Sequence, residues 1–138
     1  MSIAAQLSIH AEVTVLERES DLAYHTTGRS ASLYSEPVAS ATALALSKLS
    51  RAFLVDPPAR FTSTPFHRYL DCLFTARKSE EALLDQKMAA HHDLQRLGVE
   101  QMQALIPWLK TGEQYITAGL LEKNAFKIEV ASLFEAYR

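Results

Sequence analysis

An α/β fold, in the form of an α+β fragment, is what this sequence predicts, and three observations carry the prediction. The run Val13-Thr14-Val15-Leu16 is largely β-branched, lacks polar alternation and closes on an acid, as a parallel strand covered on both faces does. Segments with helical apolar spacing and recognisable caps alternate with short strand-like runs along the 138 residues. Hydrophobic residues make up 48% of the chain and charged residues 22%, a balance that favours one modest packed domain over disorder.

Taken in order, the elements begin with IAAQLS, short, Ala-rich and apolar, which reads as the end of a helix. His10, Ala11 and Glu12 lead into the strand of residues 13–16, and Glu17-Arg18-Glu19 ends it in charge. In the polar loop YHTTGRSAS, Gly28 can take φ > 0 and Ser30 is placed to cap a helix, so its backbone donors are candidates for holding an anion. Leu44, Leu46, Leu49, Phe53 and Leu54 mark an amphipathic helix over residues 41–54, stopped by Asp56-Pro57-Pro58. In RYLDCLFTA, Leu70, Cys72, Phe74 and Ala76 share one face while Tyr69, Asp71, Leu73 and Thr75 share the other, a half-buried strand that starts a second sheet. Ser79 before Glu80 and Glu81 suits the start of a long helix reaching about Leu97, with Gly98 at its C-terminus. Residues 100–106 form a short helix before Pro107, YITAGLLE a strand, and residues 129–137 a final helix.

Charge and cysteine usage narrow the function classes. A formal charge of −2, a pI near 6.2 and scattered Lys and Arg give no basic footprint for nucleic acid. The single cysteine, Cys72, has no partner for an internal disulfide, and the N-terminus lacks a signal-peptide pattern, so the expected setting is reducing and cytoplasmic. No apolar stretch approaches the roughly 18 to 20 residues of a membrane-spanning helix. His91 and His92 are adjacent and diverge by about 100° on a helix, which speaks against joint chelation, and no metal is expected. Trp108 after Pro107 reads as a packing residue.

The unit with most chemical content is helix, strand, acid: residues 3–8, residues 13–16, then Glu17. In a dinucleotide-binding βαβ unit, an acid at the end of the second strand accepts hydrogen bonds from the adenosine ribose hydroxyls. Two readings of Glu17 stand together, that ribose acceptor and a solvated strand end. His25 and Arg29 likewise read either as cofactor contacts or as ordinary loop residues.

The longer string AEVTVLERESDLAYHTTGRSASLYSE resembles the start of the FAD-dependent glycine/D-amino-acid oxidase family, and most closely its D-arginine dehydrogenase-like branch. The likeness continues through LSRAF, LFTAR, ALIPWL and AGLLE to the last helix. It implies part of a Rossmann-like FAD-binding domain over residues 1–62, part of a mixed-sheet substrate domain over residues 63–126, and a helix returning to the FAD-binding domain over residues 127–138. Glu17 would be the ribose acceptor, Arg18 a neighbour of the adenine, and His25, Thr26 and Thr27, with Arg29, would line the phosphate and flavin side. Ser30 and Ala31 would offer backbone N–H groups at a helix N-terminus, where partial positive charge favours the pyrophosphate. The substrate would be a small amine or D-amino acid, oxidised by hydride transfer to the flavin.

The departures from that pattern are specific. The family opens on a strand and GxGxxG, whereas the first glycine here is Gly28, and Leu22-Ala23 stand where Pro-Gly is usual. A gapless count puts Leu33 where the arginine-active relative has a histidine, Val38 where it has a lid tyrosine, and Cys72 where it has an acid for the guanidinium. Asp71 is the nearest substitute, on the opposite strand face. With these departures the chain is expected to be a truncated piece, inactive by itself, whose unpaired strand edge would invite self-association; a non-catalytic remnant acting through another polypeptide is the alternative. A nicotinamide-binding module is set aside because HTTGRSAS resembles flavoproteins.

Overall fold

The computed structural model describes residues 2–21, 23–37 and 40–137. The chain divides into two compact units. Mixed helices and two small three-stranded sheets make up the fold, in keeping with the α/β class that the sequence predicts.

The first unit comprises Met1–Tyr34, Ser40–Arg68 and Lys127–Arg138. It contains α1 (Ser2–Leu7), β1 (Leu33–Tyr34), α2 (Ala41–Val55), most of β2 (His67–Tyr69) and of β6 (Phe126–Ile128), and α5 (Val130–Ala136). The sheet order is β1-β6-β2. Helix α2 starts where the Ser40 hydroxyl accepts the Ala43 N–H and stops at Asp56, ahead of two prolines that lack the N–H a helix needs. Its core is aromatic: Phe61 meets Phe53 at 4.9 Å and Tyr137 at 4.8 Å, next to the fully buried Phe66. Burial pushes the Tyr137 phenol above its ordinary range.

The second unit, Ser35–Ala39 with Tyr69–Phe126, is built around β5 (Ala118–Glu122). This strand lies between β3 (Cys72–Ala76) and β4 (Leu94–Leu97), antiparallel to both, and all five of its residues are buried. Helix α3 (Glu81–Ala90) sends Leu84 into one face, against Ala76, Leu94, Ala118 and Leu120. Helix α4 (Val99–Leu105) sends Met102 into the other, against Leu97 and Leu121. Gly119 is needed for that approach, because a β-carbon there would lie 2.7 Å from the Met102 sulfur and 3.2 Å from the Phe74 carbonyl oxygen. Glu81 accepts the Thr117 hydroxyl at 2.8 Å and pairs with Arg96 at 3.2 Å; the hydroxyl first, then the neighbouring cations, holds its carboxyl below the ordinary range.

Four sequence expectations are corrected. Residues 12–18 form no strand: they run as exposed irregular backbone, since no other described segment pairs with them and a strand depends on that non-local bonding. The long helix stops at Ala90, where His91 turns extended, and Leu94–Leu97 becomes a strand because β5 offers its free edge. His91 and His92 therefore lie outside any helix, and no group of three or more metal-binding side chains occurs among the described residues. RYLDCLFTA breaks into β2 and β3, with Leu70 donating its N–H to the Ala125 carbonyl, and β3 is packed on both faces, through Phe74 toward α3 and Leu73 toward α4. No helix starts at Ser30; the chain passes instead into β1.

Candidate functional site

The loop of residues 23–30 closes on itself. The Gly28 N–H donates to the Ala23 carbonyl at 2.8 Å, and a β-carbon on Gly28 would fall 2.3 Å from that oxygen. Glycine is thus required there by close approach rather than by a positive φ, which only Gly112 among the described glycines adopts. Left-handed backbone sits instead at Ala23 (φ 62°) and Ser32 (φ 56°), on either side of the loop. An L-residue in that conformation costs roughly 1–2 kcal/mol, and Ala23 occupies the second position of the dipeptide where Pro-Gly was expected.

Glu17 folds back on its own chain, its Oε1 accepting the Arg18 N–H at 2.7 Å and the Glu19 N–H at 3.0 Å. Those two backbone bonds, with Glu19 the stronger, hold its carboxyl below the ordinary range. Glu19 binds Arg18 at 2.9 Å and His25 at 3.1 Å. The predicted residues Arg18 and His25 are thereby gathered on the half-buried carboxylate of Glu19, whose backbone N–H also meets Glu17 and which the sequence did not single out. Arg29 lies over the Tyr24 ring at 4.9 Å, the geometry of a cation–π contact.

Thr26, Thr27 and Ser30 line a cavity of about 460 Å³ together with Ser2, Ala23 and Ser32. Ile128, Val130, Leu133, Phe134 and Tyr137, from the end of β6 and α5, form its other side. The hydroxyl-bearing residues Ser2, Thr26, Thr27, Ser30, Ser32 and Tyr137 thus line a cleft whose remaining lining is apolar, and its size is ordinary for a ligand pocket. Ser2, Ser32 and the α5 residues were not legible as site residues, because their proximity depends on β6 delivering α5 beside the loop. Ala31 is exposed between the loop and β1.

Leu33 is half-exposed in β1 of the first unit, Cys72 starts β3 in the second, and Val38 lies outside the described residues. Burial first, then the Glu122 carboxylate, pushes the Cys72 thiol up from its ordinary value. Asp71 immediately precedes β3 and is exposed.

Glu122 is a buried acid that sequence reasoning did not single out. It is only 4% exposed, sits directly opposite Cys72 across the β3–β5 ladder, and accepts the Ser35 hydroxyl at 2.6 Å and the Glu36 N–H at 3.2 Å. Its local signal, an acid closing the apolar run AGLL, is the same as that of Glu17 at the end of VTVL.

One comparison extends the likeness of the HTTGRSAS string well beyond that loop. The family model for DAO, FAD dependent oxidoreductase, matches residues 1–138, the whole of the sequence in hand, and the chain belongs to that family.

Proposed function

We propose that this chain carries part of the cofactor side and part of the substrate side of an FAD-dependent enzyme oxidising D-amino acids or related amines, of the D-arginine dehydrogenase-like branch. The supporting observation is the cleft in which Thr26, Thr27 and Ser30 face the apolar residues of α5. Hydroxyls suit phosphate or ribose oxygens, and Ile128, Leu133 and Phe134 suit a planar ring system. FAD fits these residues in part. The cleft offers hydroxyl donors, while both backbone bonds to Glu17 fall on Oε1, which leaves Oε2 for a ribose hydroxyl. A glycine cradle, and a helix starting at Ser30 to favour a pyrophosphate, are not found among the described residues. When bound, FAD supplies the acceptor for the hydride of the amine α-carbon.

In this reading, residues 1–62 and 127–138 act on the cofactor and residues 63–126 on the substrate. Arg18 lies beside the adenine, His25 and Arg29 flank the loop, and Ala31 contributes its backbone N–H. By itself the chain binds FAD weakly: losing several charge-assisted bonds worth roughly 1.5–3 kcal/mol each lowers affinity by orders of magnitude. The test is to add FAD, desalt, record the visible flavin absorption, and assay dye reduction with a panel of D-amino acids. The expected outcome is no retained flavin and no turnover. Retained flavin that bleaches with D-amino acids establishes the activity and refutes the weak-binding part. If a supplied flavoprotein partner raises neither retention nor turnover, the enzyme reading falls.

A second reading is favoured by the exposed side chains of Val13, Val15 and Leu16 on unpaired backbone. Such a segment can add to a sheet edge of another polypeptide or of a second copy. Sedimentation over a concentration series, repeated with V13K/V15K, checks self-association.

A further inference from the structure

We propose that a cavity in the second unit, between the end of β3 and the turn that follows α4, is a docking site for an acidic peptide segment of a partner protein that carries an apolar side chain beside its carboxylates. The cavity, of about 390 Å³, is lined by Arg77, Trp108, Leu109, Lys110, Tyr115 and Ile116. Its floor is fixed to the core, since Leu109 and Ile116 pack against the buried cluster of Leu97, Met102 and Leu121. Its frame is a closed turn. Gly112, at φ 112°, donates its N–H to the Ile116 carbonyl at 2.9 Å and accepts the Tyr115 N–H at 2.9 Å, and Thr117 donates its N–H to the Ala76 carbonyl, next to Arg77, at 2.9 Å. The site is therefore formed before any partner arrives, which lowers the ordering cost of binding.

Two features of the walls point to this occupant. Trp108, expected from the sequence to pack, is 81% exposed, and Tyr115 is 49% exposed. Large rings held out toward solvent beside an arginine are the side chains that carry most of the energy in protein interfaces. The second feature is charge. Arg77 and Lys110 are exposed, and their side chains pair with no carboxylate among the described residues. Glu113, the one acid of residues 107–117, is not part of the lining. Lys110 Nζ lies over the Tyr115 ring at 6.0 Å, so cation and ring address the same opening. The chain as a whole carries −2, and this local excess of positive charge runs against that sign. A carboxylate next to an apolar side chain satisfies both features at once. A peptide is favoured over a free small molecule because the rings stand open, whereas small-molecule sites bury most of their ligand. A membrane surface is less favoured, because anionic lipid is held by clusters of about four to eight cations and only two line this cavity.

The site stands apart from the flavoenzyme reading and is tested without flavin. Trp108 is the sole tryptophan of the chain, so its fluorescence reports on this cavity directly. The probe is the blocked peptide Asp-Glu-Phe-Leu-Glu-Asp, titrated to millimolar concentration into the full chain, with controls in which every acid is replaced by its amide or by lysine. The acidic peptide is expected to shift Trp108 emission to the blue with saturation, the amide control to bind more weakly, and the lysine control to give no shift. Arg77→Gln and Lys110→Gln should each weaken the acidic peptide about two- to fivefold, as loss of an exposed charge pair does. Trp108→Ala, followed by calorimetry because the fluorophore is gone, should weaken it about thirtyfold. In R77E/K110E, two exposed positions whose exchange circular dichroism can show to leave the fold intact, the lysine peptide should bind better than the acidic one. Equal shifts from the acidic and lysine peptides, a preference unchanged in R77E/K110E, or no shift from any peptide overturns the proposal. So does a stronger response to phosphatidylserine vesicles than to the acidic peptide, which assigns the cavity to a membrane surface. A blue shift of the chain alone with rising concentration overturns it as well, by assigning the cavity to a second copy.

Discussion

Two glutamates close two apolar runs, Glu17 after VTVL and Glu122 after AGLL, and their fates are opposite. Glu122 ends a strand with neighbours on both edges and helices on both faces, and it is 4% exposed. Glu17 ends a stretch with no partner among the described residues, and Leu16 just before it is 91% exposed. The local sequence is nearly the same; the difference is the supply of backbone partners. A buried carboxylate is tolerable only where donors are built around it, as Ser35 and Glu36 are around Glu122, whereas Glu17 takes its donors from its own next two residues.

The sharpest way to break this comparison is a matched truncation. Leu120→Ala should cost about 3 kcal/mol, because a fully buried leucine between β3 and β4 leaves a cavity when shortened. Leu16→Ala should change stability by less than about 0.5 kcal/mol. Urea unfolding of both variants checks the pair, and similar losses would show that residues 13–16 are packed after all.

The backbone strain beside the loop gives a smaller effect. Ala23→Gly is expected to stabilise the chain by about 0.5–1 kcal/mol, since glycine takes φ 62° without the β-carbon penalty but gains freedom when unfolded. A lowered urea midpoint would contradict it. Smaller still is the effect at Cys72, whose thiol is pushed up by burial first and by Glu122 second. A raised value favours the neutral thiol in the folded chain, so that contribution to stability is present below the ordinary thiol range and is lost as pH rises through the folded value. Alkylation near pH 8 should therefore run slower in the folded chain than in urea, and Glu122→Gln should narrow the gap without closing it. Equal rates in folded and unfolded chain would remove the case for a shielded, carboxylate-facing thiol.

Local chemistry made part of this fold legible. The Asp56-Pro57-Pro58 stop ends α2, and Pro107 follows α4 closely, so the ends of those elements follow from nearby residues. Strand β5 was legible from its apolar run. The misses share one physical cause. Residues 94–97 carry helix-compatible residues but are held by the edge of β5, and residues 13–16 have strand propensity without an edge to join. In the candidate site, Thr26, Thr27 and Ser30 were readable from the HTTGRSAS string. Ser32 and Tyr137 were not, because the cleft depends on which distant segment comes to lie beside the loop.

Residue-resolved hydrogen exchange on the unliganded chain tests that dependence most directly. The amides of residues 13–16 should exchange near the rate of unstructured peptide, while those of residues 119–121 should be slowed at least a thousandfold, on the order of the global stability of a small domain. Comparable protection in the two runs would mean that residues 13–16 are paired in a sheet, and would contradict the claim that backbone partners separate Glu17 from Glu122.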